Sequence, residues 1–257
     1  MKDKNIKRVL VLGSGPIRIG QAAEFDYAGS QACRALKEEG CEVILLNSNP
    51  ATIQTDHTVA DIVCIKPLLP EVVEWILKEY RPDGVVATLG GQTGLNLSSE
   101  LHRRGILDKY GVRIIGVGPD AIERGEDRLE FMRTMERLGI ETARGVTVES
   151  VEHAERVAAE WGYPVVIRPA YTMGGTGGGI VYNIDELRTI CARGLQASMV
   201  GQVLVEESVL GWEELELEVV RDAKGNMITV CFIENVDAMG VHTGDSYCTA
   251  PMLTISP

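Results

Sequence analysis

Gly174-Gly175-Thr176-Gly177-Gly178-Gly179 is the densest chemical signal in the chain, five glycines in six positions. Backbone N–H groups freed of side chains can close round an anion, and such a loop can fold down on a bound nucleotide. A plain hairpin turn needs one or two glycines, and each further one carries an entropic cost, so the cluster reads as an anion-binding lid. Arg168 ends the apolar run that feeds it, and Arg128 stands in Glu126-Asp127-Arg128 at a helix start. Either alone is an ordinary surface charge. Two permanently charged, fork-shaped donors beside a glycine lid would make a phosphate clamp.

Other motifs are weaker. Gly13-x-Gly15 suggests a dinucleotide fingerprint, but Arg18 stands where the third glycine should be, and Asn47 replaces the ribose-binding acid after the second strand. Gly15 and Gly20 have P-loop spacing, yet Gln21 follows where lysine is required. Glycines for a tight strand-to-helix turn are the better reading there. Glu214, Glu216 and Glu218 share one side of a strand, which suits a solvated face at least as well as a site. Glu206-Glu207 ends an apolar strand, where a carboxylate could take both ribose hydroxyls or simply meet water. Residues 239–246, Met-Gly-Val-His-Thr-Gly-Asp-Ser, have no periodicity and several polar groups near two glycines, and read as a functional loop. His57, His102, His153 and His242 form no ligand pair. Cys33, Cys41, Cys64, Cys191, Cys231 and Cys248 lack C-x-x-C spacing, so buried reduced thiols are expected rather than disulfides or a zinc site.

The elements that must carry these residues fall into two patterns. Apolar runs Val9 to Leu12, Val43 to Leu46, Ile62 to Ile65, Val85 to Leu89 and Ile114 to Val117 alternate with helical spacings, one after residue 21, one opened by Pro70 and one near Leu95 to His102. Apolar strands alternating with amphipathic helices predict a doubly wound parallel sheet over about residues 1 to 120. Beyond Asp120 the spacing predicts a helix ending at Gly139, another capped by Ser150, strands at Pro164 to Arg168 and around Val181, a helix from Ile184 to Leu195 and a strand at Val203 to Glu206. Leu215 to Val219 and Ile228 to Ile233 predict an antiparallel hairpin. This half reads as α+β, without repeats or low complexity.

At about 150 residues per domain the 257 residues amount to roughly 1.7 domains. With Lys plus Arg at 25 and Asp plus Glu at 37, the net charge of −12 argues against a protein that coats nucleic acid or anionic membrane. The start is charged and no apolar run is long enough to span a bilayer, so a cytoplasmic protein without signal peptide is expected.

Six blocks carry a resemblance. Gly13-Ser14-Gly15-Pro16-Ile17 through Gln21-Ala22-Ala23-Glu24-Phe25-Asp26-Tyr27, Asn47 to Thr52, Gly90-Gly91-Gln92-Thr93, Glu126-Asp127-Arg128, Met173 to Gly179 and Gly240 to Ser246 together resemble the carbamoyl phosphate synthetase large-chain family, over the whole chain and in order. The resemblance implies an α/β, doubly wound, parallel-sheet pre-ATP-grasp domain over 1–122, then an incomplete α+β ATP-grasp domain over 123–257. In the latter, 123–200 would be the first lobe with the glycine lid and 201–257 the start of the second. It further implies the half that makes carboxyphosphate. Bicarbonate attacks the γ-phosphate of ATP, and ammonia derived from glutamine displaces phosphate to give carbamate, for arginine and pyrimidine synthesis.

Carried over by position, the resemblance implies that Arg128 and Arg168 hold phosphates, Gly174 and Gly175 form the lid contact, Glu207 and Glu214 bind the ribose, and Val209 sits by the adenine. Gly240, Val241 and His242 would line the nucleotide and bicarbonate end. Glu24 would face an internal carbamate passage, and Asn235, Asp237 and Ser246 would contribute to a K+ site. The implied cofactors are ATP with Mg2+ or Mn2+; the implied partners are a glutamine amidotransferase small subunit and the remainder of the large chain. The family's metal-binding Gln, Glu and Asn lie beyond Pro257, so no metal ligand is assigned, and the chain is read as an amino-terminal fragment expected to be inactive alone. The competing readings are another ATP-grasp carboxylase or ligase, such as a biotin-dependent one, and a non-catalytic assembly module.

Overall fold

A computed structural model describes residues 3–16, 22–169, 177–198, 201–222, 224–241 and 246–255, with only the backbone of 22–24, 126, 128 and 129. The chain divides into two compact units, Met1–Gly139 and Ile140–Pro257.

The first unit is built on five parallel strands, β1 (Arg8–Leu12), β2 (Glu42–Asn47), β3 (Ile62–Ile65), β4 (Gly84–Val86) and β5 (Arg113–Ile115), in the order β3-β2-β1-β4-β5. Successive side chains point to opposite faces, so one unbroken apolar run supplies two cores. Leu10, Leu12, Ile44 and Leu46 pack under α2 (Pro70–Tyr80), α3 (Gly91–Arg103) and α4 (Ile106–Tyr110) through Val73, Ile76, Leu77, Leu97, Leu101 and Leu107. Val9, Val11, Val43 and Leu45 pack on the other side against Cys33 of α1 (Ala22–Glu38). Two further helices, α5 (Pro119–Glu126) and α6 (Arg128–Leu138), complete the unit, and Gly139 closes α6 in the left-handed conformation, φ 68°.

The strand expected over Val85 to Leu89 ends at Val86, and Thr88–Gly90 forms a single 3-10 turn instead. The reason is close packing: a Cβ on Gly90 would stand 2.6 Å from the carbonyl oxygen of Leu12, so the chain turns across β1 where only glycine fits. α3 consequently begins at Gly91, four residues before the expected start. Asn47, unsuited to a ribose, is fully buried. It donates to Gln54 Oε1 at 3.0 Å, and Gln54 donates to the Phe25 carbonyl at 2.8 Å. A Cβ on Gly13 would lie 2.6 Å from Asn47 Nδ2, and one on Gly29 would lie 2.7 Å from Gln54 Nε2. The turn itself falls to Gly15, φ 75°.

The second unit holds two sheets. β6 (Gly145–Val148), β7 (Val165–Pro169), β8 (Gly179–Val181) and β9 (Val203–Glu207) form an antiparallel sheet in the order β6-β9-β7-β8. α7 (Val151–Trp161), capped by Ser150 accepting from the His153 N–H at 3.2 Å, and α8 (Ile184–Ala197) cover one face. Val148, Val165, Ile167, Val181, Val203 and Val205 meet Ala154, Val157, Ala158, Leu187 and Cys191 there. β7 and β8 form the expected hairpin. The second sheet is β10 (Glu214–Arg221), β11 (Met227–Asn235) and β12 (Cys248–Thr249), all antiparallel, with an irregularity in the β10–β11 ladder between Glu218 and Val219. Here Leu215, Leu217 and Phe232 are 46%, 53% and 52% exposed, whereas Glu214 and Glu216 are half-buried.

Candidate nucleotide site

Among the described residues of the second unit, the expected Glu207, Val209 and Glu214 lie where β9 runs into β10. Arg168 at the end of β7 pairs with Glu206 of β9 through its Nε, an ion pair on the sheet face opposite the apolar core. After Glu207 the chain leaves the ladder, and Val209 accepts from the Trp212 N–H at 3.1 Å to turn it. This turn is tied to the second polar loop by two backbone bonds, Gly211 N–H to Met239 O at 2.9 Å and Met239 N–H to Trp212 O at 2.8 Å. Gly240 has φ 118°, and a Cβ there would overlap Leu210 Cδ1, so glycine alone lets the two loops close. Val209, Glu214, Gly240 and Val241 are thereby held in one neighbourhood by residues 210–212 and 239.

The acidic side of the β10–β11 ladder continues the site. Glu214 stands opposite Asn235 in the ladder. Asn235, buried, donates to Glu216 Oε1 at 2.7 Å, while its Oδ1 accepts from the Cys248 thiol at 3.0 Å. Asp237 Oδ2 accepts from the Tyr247 N–H at 2.9 Å and from Ser246 Oγ at 3.4 Å. Of the glutamates whose spacing suits a solvated face, Glu216 is thus drawn inward by an amide, and the leucines on either side of it point out.

The other expected residues are not described as part of this neighbourhood. Gly174, Gly175 and His242 lie outside the described residues, as does the lid segment 173–176. Arg128 and Glu24 are described by backbone alone: Arg128 opens α6 behind the cap Asp127, whose Oδ1 accepts from the Glu130 N–H at 3.0 Å, and Glu24 lies in the first turn of α1. Two of the cluster's glycines have a packing role. A Cβ on Gly177 would stand 3.0 Å from the Ala197 Cβ, with φ 81°, and one on Gly178 would stand 2.5 Å from the Ile167 carbonyl oxygen.

Two features escape sequence reasoning. Arg144 grips Glu207 with a two-pronged ion pair and lies over Trp161. Glu234, buried, accepts from the N–H groups of Leu253 and Thr254 at 2.8 and 2.9 Å and from the Thr254 hydroxyl, tying the last described residues to β11. The Thr254 hydroxyl, then these N–H groups, hold the Glu234 carboxyl below the ordinary carboxylate range. Neither has a local sequence signal, because the partners stand 63 positions apart in the first case and 19 to 20 in the second. Among the described residues, no three of His, Cys, Asp and Glu come close enough to hold a metal ion, and no helix is long and apolar enough to cross a membrane. All six cysteines are free, with Cys33, Cys41, Cys64 and Cys191 buried.

A parallel α/β unit followed by a two-sheet α+β unit is the ATP-grasp architecture, and solved structures agree. Biotin carboxylase from Campylobacter jejuni, solved as a complex with β,γ-ATP, matches with a TM-score of 0.70 at 23% identity, over 89% of this chain and 51% of that one. The biotin carboxylase domain of Hydrogenobacter thermophilus 2-oxoglutarate carboxylase, solved with MgADP, ADP and bicarbonate, matches with a TM-score of 0.69 at 24% identity, over 90% and 51%. These likenesses concern the fold.

The family follows from sequence models. The carbamoyl phosphate synthase preATP-grasp domain matches residues 5–124, and the carbamoyl-phosphate synthase L chain ATP binding domain matches residues 127–257. The chain belongs to the carbamoyl phosphate synthase large-chain family. It is 58% identical over 255 residues to the carbamoyl phosphate synthase large chain of Caldanaerobacter subterraneus subsp. tengcongensis, covering 99% of this chain and 24% of that protein. It therefore spans about a quarter of the length of the relatives it matches.

Proposed function

We propose that the chain supplies the nucleotide-binding core of the half of carbamoyl phosphate synthase that makes carboxyphosphate and aminates it to carbamate. The observation that carries this reading is the tied pair of loops, 208–213 and 236–241, which holds Val209, Glu214, Gly240 and Val241 together beyond the strand that pairs Glu206 with Arg168. In this reading Arg128 and Arg168 neutralise the phosphates, Gly174 and Gly175 close over them, and residues 207, 209 and 214 surround base and sugar. Gly240, Val241 and His242 line the end where bicarbonate meets the γ-phosphate. Charge neutralisation and positioning supply most of such a transfer, so arginines and backbone donors suit it better than an acid–base pair would.

The described residues offer no ligand set for Mg2+ or Mn2+, and no step is assigned to a metal. A K+ ion would sit among Asn235, Asp237 and Ser246, where Asn235 Oδ1 keeps a lone pair beyond the one that meets the Cys248 thiol. Glu24 in α1 would face the carbamate passage. We divide the chain functionally at 122/123, with lobes over 123–200 and 201–257. We assign it an amino-terminal place in the large chain, with ammonia from a glutamine amidotransferase small subunit, in the cytoplasm, serving arginine and pyrimidine synthesis.

The test has two arms. Equilibrium dialysis should show ADP or ATP retained by the 257-residue chain, with retention falling in R168A; no retention would sink the reading. Bicarbonate-dependent ATP hydrolysis should be absent from this chain and present when the remaining large chain is supplied. Hydrolysis by the 257 residues alone would overturn the expectation that they are insufficient.

A further inference from the structure

The two faces of the β10–β11 ladder carry different chemistry. Side chains alternate, so Glu214, Glu216, Glu218 and Ile228 lie on one face, and Leu215, Leu217, Val219, Met227 and Phe232 lie on the other. The five apolar residues of this second face are 45–63% exposed. At its end nearest β12 lies a cavity of about 320 Å³, lined by Trp212, Leu215, Glu234, Thr249, Leu253 and Ile255 among others. At its far end, the tip of the hairpin, Met227 stands opposite Arg221.

A protruding methionine and an apolar cavity thus stand at opposite ends of one surface, about 24 Å apart at roughly 3.4 Å per residue from Met227 to Glu234. A two-fold axis running across the strands between two such faces, with the sheets about 10 Å apart, brings each tip over the other copy's cavity. Methionine suits that position, because its unbranched side chain fills irregular apolar gaps. Charge agrees with the arrangement. Arg221 accompanies Met227 at the tip and Glu213 lines the cavity, so each copy offers an arginine to the other's glutamate. Area agrees as well. With Trp212, Leu253 and Ile255, the face exposes roughly 800 Å² of apolar side chain, where a stable dimer takes about 800 Å² from each partner and an ordinary monomer leaves at most about 600 Å² in one patch. Pairing along the edge of β10, outermost in its sheet, is disfavoured, since two-fold registers centred on residues 216 to 218 set glutamate opposite glutamate.

We propose that this face is an interface between two copies of the 257-residue chain, packed face to face about a two-fold axis with Met227 of each seated in the Trp212–Leu253 cavity of the other. The glutamate face, with Glu214 and Asn235, stays open in such a dimer, so the inference stands apart from the nucleotide reading above. The net charge of −12 on each copy opposes association, which puts the dissociation constant at the weak end for this area, on the order of 1 μM. In more dilute solution the chain is a monomer and the face is open.

Sedimentation equilibrium of the 257-residue chain between about 0.1 and 100 μM should show monomer giving way to dimer and to nothing larger, because a two-fold contact closes on itself. M227E should weaken the dimer about tenfold or more, whereas I228E, equally exposed at 63% but on the glutamate face, should leave it unchanged. R221E and E213R should each weaken it, and the double variant should restore it, an outcome that general apolar stickiness does not produce. All four positions are exposed, so these changes leave the fold intact. A chain that stays monomeric at about 100 μM overturns the inference, as does growth beyond the dimer or a dimer lost in I228E and kept in M227E. A monomer that instead binds the remaining large chain, and loses that binding in M227E, gives the face to that polypeptide and overturns the inference too.

Discussion

The parallel sheet of the first unit and the β10-β11-β12 sheet of the second are both rich in branched aliphatic residues, and they treat them in opposite ways. Leu10, Leu12, Ile44 and Leu45 are wholly buried, because α1 covers one face and α2, α3 and α4 the other. Leu215, Leu217, Val230 and Phe232 are about half exposed, while Glu216, Glu234 and Asn235 next to them are engaged in hydrogen bonds. Hydrophobic residues alone therefore do not locate the core. The layers that a segment can recruit decide it: in the second sheet Glu216 and Asn235 bond to each other on one face, and Glu234, on the face of Leu215 and Phe232, is the residue there that takes up residues 253 and 254.

That contrast can be broken most sharply by cavity mutants. Leu45→Ala should cost about 2–5 kcal/mol in urea unfolding, whereas Leu217→Ala, at a half-exposed side chain, should cost less than about 1 kcal/mol. Equal costs would mean that the open face is covered in solution. Next in size, Gly90→Ala should cost about 1–3 kcal/mol, since its methyl group meets the Leu12 carbonyl, and Gly118→Ala, which has open space, should be near neutral.

A smaller effect follows from Glu234. Its folded-state pKa is depressed, so its contribution is present above the ordinary carboxylate pKa and is lost as the pH falls through the folded value. Hydrogen exchange at Leu253 and Thr254, corrected for intrinsic rates, should therefore quicken selectively on acidification, and E234Q should remove that pH dependence. The smallest effect concerns thiols. Cys248, exposed, should react with a maleimide first and Cys231 next. Cys33 and Cys191, whose thiols burial pushes up to about 11, should react only on unfolding. Early labelling of Cys191 would contradict a closed core in the first sheet of the second unit.

Much of this fold is legible from spacing and punctuation. Pro70 at the first turn of α2, Gly139 as the left-handed stop of α6, and Ser150 bonded to the His153 N–H are local signals with local outcomes. The β10–β11 hairpin likewise follows from two apolar runs on either side of 222–226. What escapes depends on contacts between distant segments. β4 stops early because Gly90 meets β1, and α5 lacks a long apolar stripe to announce it. Within the candidate site, Arg168 and the loop around Gly240 stand out in the sequence as expectations, but nothing there announces that Glu207 turns to Arg144. That outcome is set by the pairing of β6 with β9. Gly145 lies opposite Glu206 and Val146 opposite Val205, so Glu207 falls one step past the ladder, beside an arginine 63 positions away in the chain.

The buried quartet of Gly13, Gly29, Asn47 and Gln54 has a consequence for how this sequence can drift. Each glycine is kept bare by an amide on the other side of the contact, and the two amides are bonded to each other. A methyl group at 13 displaces Asn47, a displaced Asn47 unseats Gln54, and Gln54 fills the space beside Gly29. Across related sequences these four positions should therefore change together or not at all, inherited as a single character although they are scattered from one strand to the turn beyond another.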